Sequence, residues 1–233
     1  MAKPIIGITL DFVKEGSFSK RPHFALREHY FDAVINAGGL PIAIPNKAEL
    51  INEYLNEVQA LIVPGGDFGL DPMWYIDGEK PAFDASSRLD FDVAMITQAI
   101  KRDIPLLGIC AGMQILAGMH GCKLSSKIQP YSTIKRNHLN EKPAEEYAHD
   151  IIIEKGTLLN KIAGDKMPVN SRHTEGVVKL SDKIILSGTS DDGIIEAVEV
   201  KDANFALGVQ WHPEYFKNDA NAAIFRALVK AAA

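Results

Sequence analysis

A cysteine flanked by glycines two residues before and two residues after it is the first feature of this chain that could do chemistry. It lies in Leu107-Gly108-Ile109-Cys110-Ala111-Gly112-Met113-Gln114. Cys110 stands where an unbroken apolar run, Ile104 to Ile109, gives way to a helical pattern from Gly112 to His120. Small residues at such a junction permit a sharp strand-to-helix turn that lifts the side chain clear of both elements, the mechanical logic of a nucleophile elbow. The helix that follows would aim the positive end of its dipole at the sulfur and favour the thiolate, which is the nucleophilic form. Taken alone, Gly-x-Cys-x-Gly is short, and a buried cysteine serving as a small hydrophobe fits it equally well. Cys122 has no such glycine pair and reads as structural.

A nucleophilic cysteine needs a base, and the base needs an orienting group. Both stand together in Gly208-Val209-Gln210-Trp211-His212-Pro213-Glu214. In an extended segment residues two apart face the same way, so His212 and Glu214 share a side, and Pro213 restricts the backbone between them. A carboxylate on one ring nitrogen would leave the other to act toward Cys110. His23, His29, His120, His138 and His149 have no comparable setting and read as structural. No pair of histidines has metal-ligand spacing, so no metal is expected. Val63-Pro64-Gly65-Gly66-Asp67 follows another apolar run. It is either a plain turn or, at the carboxyl end of a parallel strand, a donor loop facing the cysteine. In the second case the amides of Gly66 and Ala111 are the natural pair for an oxyanion. No Lys-Ser/Thr follows the glycines, so the loop is no phosphate cradle, and no cofactor is expected.

The elements that must hold these residues alternate. Pro4 to Leu10, Pro41 to Ile44, Ala60 to Val63 and Ile104 to Ile109 read as strands; Arg27 to Ala37, Glu49 to Glu57, Asp84 to Arg102 and Gly112 to His120 read as helices. Strands without polar alternation are buried on both faces, so this half predicts a parallel sheet between helices. The second half has short strands around Ile151–Ile153, Val177–Leu180, Ile184–Leu186, Ile194–Glu199 and Phe205–Val209, with little helical pattern before Asn221 to Ala232. These predict antiparallel or mixed strands on the same sheet. Since no flexible tether divides the halves, residues 1–233 read as one α/β domain, a three-layer sandwich with a mostly parallel central sheet. With 25 basic and 30 acidic residues and no basic stripe, nucleic acid is not an expected partner. No apolar run reaches the roughly 20 residues of a membrane span. Asp11 interrupts the opening apolar run, which therefore reads as a strand and not a leader. Two cysteines make no disulfide framework, so a cytoplasmic setting with reduced thiols is expected.

Pro64 to Gly66, Gly108 to Gln114 and His212 to Glu214 together, in that order, resemble the signatures of the class I glutamine amidotransferase-like superfamily. Further segments resemble its γ-glutamyl hydrolase-like cysteine peptidase branch across nearly the whole chain. These are Pro4 to Thr9, Ala37 to Pro41, Leu70-Asp71-Pro72 with Tyr75, Val169-Asn170-Ser171-Arg172-His173 and Asp192 to Ala197. The resemblance implies Cys110 as nucleophile, His212 as base and Glu214 as orienter. It also implies Gln114 holding the glutamyl group, and Ser171 and His173 bordering the substrate. Two positions depart from the branch: Ala111 where arginine is frequent, and Glu175 where glutamine is frequent. Both concern the amine half of the substrate. Glu175 could meet a cationic group of the substrate, but pairing with Arg172 or Arg136 is the favoured expectation; Lys135 with Arg136 could receive a carboxylate on the amine, though a merely solvated charge pair is the favoured reading.

The activity implied is hydrolysis of a small γ-glutamyl amide through a γ-glutamyl thioester. A glutaminase subunit feeding ammonia to a partner synthase would use the same three residues. A non-catalytic protein that keeps the scaffold would have no need of them. No helix face or strand edge announces a subunit contact, so a homo-oligomer stays open.

Overall fold

The β-branched runs form the centre of the molecule, in a computed structural model that describes residues 2–134, 136–139, 142–216 and 219–233. Its strands are β1 (Ile5–Thr9), β2 (Asp11–Val13), β3 (His23–Ala25), β4 (Leu40–Ile44), β5 (Ala60–Val63), β6 (Leu106–Ile109), β7 (Lys123–Ser125), β8 (His149–Ile153), β9 (Lys166–Val169), β10 (Gly176–Lys179), β11 (Ile184–Ser190), β12 (Ile195–Val200) and β13 (Ala206–Val209). Its helices are α1 (Glu28–Asn36), α2 (Ile51–Glu57), α3 (Ser87–Lys101), α4 (Ala111–Met119), α5 (Leu158–Ala163) and α6 (Ala220–Ala231). One sheet takes nine strands in the order β4-β1-β5-β6-β13-β12-β11-β8-β9. Pairing is parallel from β4 through β13 and antiparallel from β13 to β9.

Alternation along the strands divides the core. Leu61 and Val63 of β5 face the α2, α3 and α4 side, whereas Ala60 and Ile62 face the α1 and α6 side. Both faces of the inner parallel strands β5, β6 and β13 are therefore covered, which explains their lack of polar positions, whereas the edge strand β4 leaves Leu40 and Ile42 exposed. Helix starts follow local chemistry: the Ser86 hydroxyl accepts from Arg88 N–H ahead of α3, and Asp219 Oδ1 accepts from Asn221 N–H at 2.8 Å ahead of α6. The single α/β domain and mixed sheet expected from sequence are present. Three details differ. Residues 176–179 leave the main sheet and pair with β7. Helix α5 occupies a stretch expected to hold strands; its Thr157 cap accepts from Asn160 N–H at 3.1 Å, and Glu199 accepts from its first two amides. The β2–β3 hairpin is too short to leave a periodic signal. Among the described residues no helix is long and apolar enough to cross a membrane.

The register decides what meets at the carboxyl edge. Val63 of β5 lies beside Gly108 of β6, and Ile109 lies beside Val209 of β13. The next residues of three adjacent parallel strands are therefore the Pro64-Gly65-Gly66 turn, Cys110, and Gln210 to His212. Helix α4 sits so close to β5 that a Cβ at Gly112 would collide with the carbonyl of Val63. Gly112→Ala is expected to lower stability by about 1–3 kcal/mol through this overpacking, read as a reduced urea midpoint at unchanged slope.

Candidate active site

Cys110 occupies a backbone conformation that side chains rarely adopt, with φ 52° and ψ −108°. Such strain persists where the surroundings over-determine it, and here it turns the chain from β6 into α4 and presents the sulfur beside the helix N-terminus. The amides of Gly66 and Ala111 accompany it. Neither donates to a protein acceptor among the described residues, as donors reserved for an incoming oxyanion would be. Gly65 must be glycine for a local reason: a Cβ there would lie 2.8 Å from His212 Cε1 and 3.2 Å from Cys110 Cβ.

The buried imidazole of His212 has Nδ1 2.7 Å from Glu214 Oε1, on a one-turn 3₁₀ segment, Pro213–Tyr215. Burial alone would lower the His212 pKa; the negative charge and hydrogen bonding of Glu214 and of the Cys110 sulfur outweigh it and push it up to about 10. At neutral pH the pair is thus an imidazolium beside sulfur, held by a carboxylate. Asn170 clamps the base by its main chain, its Oδ1 accepting from His212 N–H at 2.8 Å and its Nδ2 donating to His212 C=O at 3.1 Å.

Arg88 is a further positioning residue that no sequence signal marked beyond an i,i+4 acid–base pair on α3. Its buried guanidinium pairs with Asp92 at 2.8 Å and with Asp11, and donates to the carbonyls of Pro64 and Gly65, the latter at 3.0 Å. It also lies 4.6 Å over the Phe68 ring. A buried cation thereby fixes the glycine turn from below, and Tyr30 fixes it from the side, its hydroxyl accepting from Gly65 N–H at 3.1 Å.

Two connected hollows meet at Cys110. One, about 80 Å³, has Gln114, Phe68, Phe83, His173 and Glu175 in its wall. The other, about 400 Å³, lies on the His212 side and is bordered by Arg27, Asp67, Arg172 and Tyr215. Gln114 is near but committed: its Nε2 donates to Glu175 C=O at 3.0 Å and to Gln210 Oε1 at 3.1 Å, while Gln210 Nε2 lies 3.7 Å from the Cys110 sulfur. His173 borders the smaller hollow. The Ser171 hydroxyl instead points beneath the loop and donates to His138 C=O at 2.8 Å. The pairing expected of Glu175 is not found. Its carboxylate accepts from Tyr75 O–H at 2.7 Å and from Ala82 N–H, while Arg136 pairs with Asp191 at 2.7 Å and Arg172 donates to Lys142 C=O. Burial between these donors, with no guanidinium in reach, pushes the Glu175 pKa up. Lys135 lies outside the described residues.

His138 and His149, read from sequence as unremarkable, stand with His173 around the fully buried carboxylate of Glu196. Burial alone would raise that carboxylate, but the imidazoles gathered around it hold it well below the ordinary range. Near-neighbour spacing could not reveal this group, because its members come from separate segments. Cys122 is buried, and its sulfur accepts from Ser181 N–H at 3.4 Å, as a structural residue would.

The folded pKa of His212 lies above the ordinary 6.5 of a free imidazole, so its charge contributes stability that is whole below about 6.5 and is lost as pH rises through about 10. Glu214→Gln removes the larger raising influence. Its His212 imidazole signal, followed by NMR, is expected to titrate at least about one unit lower than in the parent, and the alkaline limb of kcat/KM should move down with it.

Comparison with known proteins agrees with this geometry. The family model for peptidase C26 matches residues 4–214. The chain is 35% identical to the glutamine amidotransferase-like protein RP404 of Rickettsia prowazekii over 98% of both chains. It is 34% identical to the γ-glutamyl-γ-aminobutyrate hydrolase PuuD of Escherichia coli K12, over 98% of this chain and 91% of that protein. In fold it resembles the glutaminase domain of Trypanosoma brucei CTPS, solved with bound acivicin, at a TM-score of 0.65 and 16% identity over 98% of this chain and 93% of that one. A match along nearly the whole chain places this protein in the peptidase C26 family, among the class I glutamine amidotransferase-like hydrolases.

Proposed function

We propose that the protein hydrolyses small γ-glutamyl amides, with Cys110 as nucleophile, His212 as acid and base and Glu214 as the group that orients and charges His212. The observation that carries this reading is the strained Cys110 on a helix N-terminus, facing an imidazole held 2.7 Å from a buried carboxylate, with two undonated amides alongside. The sulfur attacks the γ-carbonyl, the oxyanion lies between Gly66 and Ala111 amides, and His212 gives its proton to the departing amine. A γ-glutamyl thioester results. His212, now neutral, takes a proton from water as that water attacks the thioester; glutamate leaves and the sulfur is restored. The chemistry suits a cytoplasmic setting, where Cys110 and Cys122, both free thiols, stay reduced.

The acid that protonates the amine stands on the side of the larger hollow, so the amine half belongs there. Arg27 and Arg172 border it, and Arg27 makes no ion pair among the described residues. An amine that ends in a carboxylate suits this wall, as in the substrate named for the Escherichia coli relative.

Cys110→Ala is expected to lower kcat on γ-glutamyl-γ-aminobutyrate by a factor on the order of 10⁶ while the fold persists, judged by glutamate release and circular dichroism. Wild-type-like turnover in that variant would end the proposal, and activity on glutamine alone, dependent on a second protein, would favour an ammonia-supplying subunit. Arg27→Met is expected to raise KM for γ-glutamyl-γ-aminobutyrate about 10- to 100-fold, and to leave KM for γ-glutamyl-butylamide, which lacks the carboxylate, unchanged.

A further inference from the structure

Behind the Cys110 site, the hydrogen bonds around Glu196 do not close with ordinary neutral side chains. His138 Nε2 lies 3.0 Å from Asp192 Oδ2, an acceptor, so the ring proton belongs on Nε2. His138 Nδ1 then turns a lone pair toward Glu196 Oε1, 3.2 Å away. The Ser171 hydroxyl, 3.3 Å from the same nitrogen, directs its proton to the main-chain carbonyl of His138. His173 repeats the arrangement: Nδ1 lies 3.0 Å from Glu175 C=O and must carry the proton. Its Nε2 faces Glu196 Oε1 at 3.6 Å and, among the described residues, has no hydrogen-bond partner. Glu196 Oε2 is buried and likewise without one, while His149 Nε2 donates to Oε1 at 3.1 Å. Two nitrogen lone pairs and a carboxylate thus converge in a buried space, which is repulsive unless a cation lies between them.

We propose that His138, His173 and Glu196 form a binding site for one divalent transition-metal ion of the zinc class. The donor atoms of these three residues all lie within 4.8 Å of one another. A tetrahedral zinc with bonds of about 2.0–2.1 Å spaces its donors about 3.3 Å apart, close to the nitrogen–oxygen distances found. Two imidazoles and one carboxylate suit zinc or cobalt and not the hard, all-oxygen cations. Both rings are already oriented by outer partners, Asp192 for His138 and the Glu175 carbonyl for His173, the support that metal-ligating histidines require. Entry is provided by a hollow of about 300 Å³ that both rings border together with Gln129 and Asn137, and water from it would complete the fourth position. The ion would tie β12 to the segment carrying Asn170 and Arg172, and so brace the wall of the catalytic hollow without touching the reacting atoms. This site does not depend on the hydrolase reading.

The test is a titration of the chelator-treated full chain with Co²⁺, followed by displacement with Zn²⁺. It is run in parallel on Cys110→Ala so that thiolate binding at Cys110 cannot be mistaken for the site. One Co²⁺ per chain with the visible absorption of a tetrahedral centre is expected in both proteins, with a rise in Tm on adding Zn²⁺. His138→Gln should abolish it. Asp192→Asn, which alters the outer partner and leaves the three donors in place, should weaken it about 10- to 100-fold and serves where a ligand variant fails to fold. Failure of Cys110→Ala to bind Co²⁺ or Zn²⁺, or binding that Asp192→Asn leaves unchanged, would overturn the proposal and leave protons as the cations of the cluster.

Discussion

The close approach of α4 to β5 is the constraint on which the site rests. Gly112 lies against the carbonyl of Val63, so the chain leaving β6 has room only for a sharp turn, and Cys110 takes the strained conformation at that turn. The same contact sets the distance between the Pro64-Gly65-Gly66 turn, which begins one residue beyond Val63, and the first amides of α4. The placement of Cys110 and of the Gly66 and Ala111 amides thus follows from one packing contact between a helix and a strand.

Electrostatics is layered around that contact. Nearest the sulfur, His212 and Glu214 form an ion pair strong enough to keep the imidazole charged through the neutral range despite burial. Beneath the glycine turn, the Arg88 guanidinium faces Asp11, Asp92 and two carbonyls, so a buried charge is matched and its donors are used. Behind the loop from Asn170 to Glu175 lies the cluster around Glu196. Each layer holds a main-chain segment whose amides or carbonyls border the catalytic hollow, and rigidity at the site comes from these polar clamps as much as from apolar packing.

Much of this was legible in the order of residues. Cys110 between glycines, His212 with Glu214 two on, and Pro64-Gly65-Gly66 after an apolar run are local patterns, because each is dictated by the backbone its own few residues adopt. Most helices and strands were legible for the same reason, apart from α5, β7, β9 and the β2–β3 hairpin, whose runs are too brief for a period to show. The partner of Glu175 was misjudged: charge complementarity suggested an arginine, whereas the fold brings Tyr75 O–H and Ala82 N–H, from about 100 residues and 93 residues away.

What the sequence by itself determined is the layered α/β architecture and the local settings of Cys110, His212 and Glu214, since both follow from residue type and short-range periodicity. Only the tertiary structure decided which side chains surround them. Arg88 beneath the turn, Asn170 on the His212 main chain, Arg27 on the wall of the larger hollow and the histidines around Glu196 are each brought beside residues from distant segments of the chain. Strand order and register are set by packing of the whole chain, and no local pattern encodes them.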